Sequence, residues 1–186
     1  MVHRLGRKRK LINKLNKNFM SATTSIKQVV GSGAGTATTI TNLRHNTDDT
    51  INPGTTNPLV KPAAGSNYGF WKTVYLNADT APSGTINNVR FFTDGTIGWT
   101  GVVLKAGTTA GYAQATGTAG TTGDVSGVAT VDASTYTSGS PLSVGGSITA
   151  ATGVISNNVV LQAVVSTAAV AGTLAAETTT FRYDET

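Results

Sequence analysis

Beyond a basic opening stretch, apolar residues come in short runs, several alternating with polar ones, separated by clusters of Gly, Asn, Asp and Pro. Successive side chains of a strand point to opposite faces, so such alternation buries one face, and the intervening residues supply turns. The pattern predicts strands at 25–30, 36–43, 70–77, 88–93, 100–105, 112–118, 127–131, 153–165 and 178–183. Nine short strands suit two packed sheets. The expected fold is all-β, an antiparallel β-sandwich of Ig-like or jelly-roll-like kind over residues 21–186, preceded by a basic N-terminal arm at 1–20 that is helical or disordered.

Within this frame, Trp71-Lys72-Thr73-Val74-Tyr75-Leu76 alternates weakly, and Val89-Arg90-Phe91-Phe92 sets Arg90 between apolar neighbours. Each therefore buries one face. The linker between them is dense in turn formers, which predicts consecutive strands joined by a loop, a candidate central pair of the fold. The stretch 154–165 is the most apolar in the chain and rich in Val. It reads as a hairpin or one long buried strand with a turn or bulge at Asn157-Asn158. Residues 107–127 are rich in Gly, Thr and Ala, with 112–116 suited to an edge strand. Pro53, Pro58 and Pro62 break any ladder over about residues 46–66, predicting a long loop able to reach a neighbouring subunit.

Composition sharpens this reading in two ways. The 186 residues include 33 Thr and 22 Gly with only 12% charged, and Thr favours pleated strands over helices. Disorder is the competing reading of so much Gly and Thr, but 39% hydrophobic residues are enough to build a core. There is no Cys, which excludes disulfides and thiolate metal sites. No apolar run approaches the roughly 20 residues of a membrane helix, and Leu11-Ile12 is followed at once by polar residues, so neither a membrane span nor an export signal is expected.

The net charge of +5 is unevenly placed. Arg4, Arg7, Lys8, Arg9, Lys10, Lys14 and Lys17 supply half of the 14 basic residues with no acid among them, so the rest of the chain is mildly acidic. Leu11, Leu15 and Phe19 recur every four residues, giving a helical face that is apolar opposite a cationic one. Those seven residues are the candidate contacts to nucleic acid, to an anionic membrane surface or to acidic patches of neighbouring subunits. The plainer readings are a solubilising tail, or an extension upstream of a natural start at Met20.

Catalytic chemistry has few carriers. His45 with Asp48 and Asp49 offers imidazole and carboxylates for a divalent cation, but the spacing matches no metal motif and the segment is ordinary loop chemistry. Asp94-Gly95 reads as a turn between strands, since Asp-Gly is a strong hairpin signal. Gly31-Ser32-Gly33-Ala34-Gly35 lacks the Lys and the following helix of a phosphate loop, and is read as a flexible connection. Trp71, Trp99, Tyr68, Tyr75, Phe70, Phe91 and Phe92 suit core packing better than an exposed stacking platform. The expectation is no enzyme, no metal and no cofactor.

The run from Tyr68 to Asn77, the segment Val89-Arg90-Phe91-Phe92-Thr93-Asp94-Gly95 and the ending Thr180-Phe181-Arg182-Tyr183-Asp184-Glu185 resemble virion structural proteins of tailed viruses. The resemblance implies a β-sandwich that decorates or cements a capsid, or one belonging to the tail or head-tail connector, with no catalytic residues to carry over. Its partners would be other copies of itself and other virion proteins, with nucleic acid reached through the arm, in a particle assembled in the host cytoplasm. The basic arm departs from a surface decoration protein and favours an inward-facing or subunit-linking role. Nucleic-acid-binding and carbohydrate-binding sandwiches are the alternatives.

Overall fold

A computed structural model describes residues 21–186. Their strands are β1 (Thr24–Val30), β2 (Thr36–Ile40), β3 (Ser66–Tyr68), β4 (Lys72–Ala78), β5 (Thr85–Thr93), β6 (Val102–Thr109), β7 (Gly117–Thr118), β8 (Thr122–Gly123), β9 (Val131–Asp132), β10 (Leu142–Ser143), β11 (Ile148–Thr149), β12 (Gly153–Val154), β13 (Asn158–Ser166) and β14 (Thr179–Glu185). The larger sheet runs β2-β1-β4-β13-β6-β9, with β12 added to β4 and β3 to β13. In the smaller sheet β5 pairs with β10 and β11 and also with β14, while β7 and β8 form a short ribbon. Every one of these pairings is antiparallel.

The core forms because one face of each sheet is apolar. Val74, Leu76 and Ala78 of β4, Leu104 and Ala106 of β6 and Val159 and Leu161 of β13 meet Ile86, Val89 and Phe91 of β5, all buried. Phe91 lies edge-on to Phe181 of β14 with ring centroids 5.4 Å apart. In β5 the buried residues shift phase between Ile86 and Val89, because Asn88 sits at φ 53 and acts as an extra residue. Its side-chain amide donates to Asp184 at 2.6 Å, opposite a register shift in β14. The bulge keeps both Ile86 and Val89 on the core face.

Several expectations need correcting. β4 and β5 are not neighbours: the linker between them crosses from one sheet to the other. Asp94-Gly95 is a turn but no hairpin, since Asp94 Oδ1 accepts from Thr96 N at 2.9 Å and the chain passes on to β6 in the opposite sheet. The stretch 112–116 is not strand, because Tyr112 is held by a bond from its hydroxyl to Gly31 O (2.8 Å) and only Gly117–Thr118 pairs. Of 127–131 only Val131 joins a strand, in β9. The 153–165 run divides into β12 and β13 around Ile155–Asn157. There Ser156 Oγ accepts from Leu76 N at 2.9 Å, in place of a ladder partner. Among the aromatic residues, Phe70 and Phe91 are buried, whereas Trp71 and Trp99 are partly exposed and donate their indole N–H groups to Ala113 O (3.1 Å) and Ala175 O (2.8 Å).

Gly107 shows how closely β6 is covered. A methyl group there would lie 1.9 Å from the carbonyl oxygen of Val128. Backbone must move to admit it, so Gly107→Ala is expected to destabilise by about 3 kcal/mol, the upper part of the overpacking range. Urea unfolding of the variant checks this.

Candidate functional site under the Pro-rich loop

Lys72 opens β4 two residues before Val74, so the pleat places it on the core face with Val74 and Leu76. It is 1% exposed. A buried ammonium requires oxygen partners, and the loop at 41–65 supplies them. Lys72 Nζ donates to Asn46 Oδ1 at 2.6 Å, to Asp48 O at 2.7 Å and to Thr50 O at 3.3 Å. All three acceptors are neutral. Burial lowers the Lys72 pKa to about 8, although Asp49 and Asp48 pull the other way.

The loop holds these oxygens in place through its own turn chemistry. Asn52, Gly54 and Asn57 occupy left-handed conformations at φ 51, 62 and 48, allowing the chain to double back between the prolines. Thr47 Oγ1, fully buried, donates to Asn57 O or Pro58 O (3.0 and 3.1 Å), and Asn57 Nδ2 donates to Asp48 Oδ2 at 3.1 Å. Asp49 Oδ2 accepts from Gly31 N at 2.8 Å, which ties the loop to the β1–β2 hairpin. Phe70 N donates to Asn46 O at 2.9 Å, fixing the Asn46 backbone beside the start of β4. The predicted long loop is thus a lid folded over one end of the core.

His45 lies in the same place. Its ring meets Trp99 edge-on at 5.9 Å, and its Nδ1 is buried with no hydrogen-bond partner among the described residues. Burial, with the charge on Lys72 as a smaller cause, lowers its pKa to about 3. The ring is neutral at pH 7. Among the described residues no group of three His, Cys, Asp or Glu converges as a metal site. Around His45, Asp48 and Asp49 it is the Lys72 ammonium that gathers the loop oxygens.

The outer face of the larger sheet carries a second buried polar anchor. Gln162 Nε2 donates to Gly69 O (2.9 Å) and Asp124 O (2.7 Å), and its Oε1 accepts from Ser126 N (2.9 Å). Two open depressions of about 310 and 320 Å³ lie elsewhere, one beside Val29, Tyr75 and Tyr112, the other beside Trp99 and Asp132. Neither draws together a set of reactive side chains.

Arg4, Arg7, Lys8, Arg9, Lys10, Lys14 and Lys17, the contacts expected from sequence, lie outside the described residues. Lys72 and Asn46 were not anticipated. The available signal was a lysine in phase with Val74 and Leu76, on the side of its strand that turns inward. No family model, curated protein or solved structure matches the chain.

Proposed function

We propose that this chain is a non-enzymatic structural subunit of a virion, acting as a capsid decoration or cement protein that contacts neighbouring subunits. The observation that carries the reading is an edge of the larger sheet that nothing guards among the described residues. Among the described residues β2, Thr-Ala-Thr-Thr-Ile, pairs only with β1, and it has four of its five residues exposed, with neither charge nor proline. β14, which among the described residues pairs only with β5, carries Arg182, Asp184 and Glu185. Charges on an edge strand oppose pairing with another chain, and their absence invites it. Val125, Val154 and Val170 add exposed apolar surface. The resemblance to virion proteins of tailed viruses points the same way. Among the described residues no helix is long and apolar enough to cross a membrane.

Cryo-electron microscopy of the particles, or of the purified chain, tests the reading. A symmetric lattice position on the outer face is expected, and it should be lost in the double variant Thr36→Lys/Thr38→Lys, which charges β2. A position in a tail ring would move the role to the tail or connector. A monomer that joins no lattice and binds no particle overturns the assembly role.

A further inference from the structure

Two buried side chains in the loop site are placed to react with one another. We propose that Lys72 and Asn46 join through an intramolecular isopeptide bond, with loss of ammonia, which fastens the 41–65 loop covalently to β4.

The geometry is that of an amine held against a carboxamide. Lys72 Nζ is 2.6 Å from Asn46 Oδ1, and the two residues are 1% and 2% exposed. With a C=O bond of about 1.2 Å and the usual angle at a carbonyl oxygen, the amine lies about 3.4 Å from Cγ, within the range of a near-attack arrangement. Neither partner has to search for the other. Lys72 is held in the sheet opposite Leu161 of β13, and the Asn46 backbone is held by Phe70 N. Fixing both reactants in advance is what raises effective molarity in intramolecular reactions. The nitrogen to be expelled, Asn46 Nδ2, has one long bond among the described residues, 3.4 Å to Thr50 Oγ1.

The amine must be uncharged to attack. Burial helps, since at a pKa of about 8 roughly one Lys72 in ten is neutral at pH 7. The ammonium first gives up one proton to solvent. Nζ then adds to Cγ, a second proton moves from Nζ to Nδ2, the Cγ–Nδ2 bond breaks, and ammonia leaves and becomes ammonium in water. The products are one secondary amide and one ammonium ion, so atoms and charge balance without an oxidant or co-reactant. The amide is neutral, so closure also removes a buried charge from the core. Its remaining N–H can still donate to Asp48 O, and Thr50 O retains the Gln28 side-chain amide at 3.5 Å.

The inference stands apart from the virion reading and is tested without it. Intact-mass spectrometry of the purified full chain should find it lighter than its sequence by one ammonia. Protease digestion should yield a branched peptide that contains both Asn46 and Lys72, with no cleavage after Lys72. Asn46→Asp should reach the same final mass by losing one water, and Lys72→Arg should keep its full sequence mass. A wild-type chain that retains its full mass after incubation at pH 9, where the neutral amine predominates, overturns the bond. So does an ammonia loss confined to the Asn46-Thr47 peptide, the mark of a cyclic imide.

Discussion

Acidification from pH 7 to pH 4 is expected to cost the folded protein about 3 kcal/mol through His45 alone. Its pKa in the fold is about 3, against 6.5 for an unperturbed imidazole. Between those values the unfolded chain binds the proton and the folded chain does not. Stability is therefore complete above pH 6.5 and falls as the pH drops towards 3. Carboxylates also titrate in the lower part of this window, so comparison with a second protein isolates the histidine. His45→Phe retains an aromatic ring against Trp99 and removes the titration. Urea unfolding at pH 7 and pH 4 should show the wild type losing about 3 kcal/mol more than the variant. Parallel losses would mean that the ring is solvated enough to accept a proton in place.

Gln162→Leu should be similarly costly at every pH. The substitution preserves approximate volume but strands three backbone groups, the N–H of Ser126 and the carbonyls of Gly69 and Asp124. A buried polar group left without its partner costs about 1–3 kcal/mol, so a total of about 3–5 kcal/mol is expected. The loss should be local before it is global. Hydrogen exchange at Ser126 should quicken while amides in the β4–β13 ladder remain protected. The comparison Val160→Ala, in the same strand and on the same face, removes apolar contacts alone and should leave the exchange at Ser126 slow.

The sandwich was legible in the chain because its signal is local. Val29, Val74, Leu76, Val89, Phe91, Val159 and Val165 fall in short runs bounded by turn formers, and all are buried. Pairing was not legible. β4 and β5 follow one another in sequence yet occupy opposite sheets, since sequence order does not say which way a linker crosses a core. Tyr112–Thr116 has strand-forming residues, but a hydroxyl bond to Gly31 across the fold overrides that local preference. The loop site was half visible. The prolines marked a loop and His45-Asn46-Thr47-Asp48-Asp49 marked its polar content, while Lys72 looked like the polar half of a weak alternation. What makes it inward-facing is its phase with Val74, and what makes that tolerable is a loop more than 20 residues away in sequence.

The position of β13 bears on how the chain acquires its shape as it is made. β4 and β6 are synthesised early, yet neither pairs with the other; β13 enters between them, with eight residues in register against β6 and three against β4. Until residues 158–166 leave the ribosome, the larger sheet is two separate pieces with facing unsatisfied edges. β14, which covers Phe91 through Phe181, arrives later still. Closure depends on contacts far apart in sequence, the kind that folds slowly. From the completion of β6 the nascent chain therefore carries an open slot lined by Val102 and Leu104 on one side and Val74 on the other, and β13 is the wedge that shuts it.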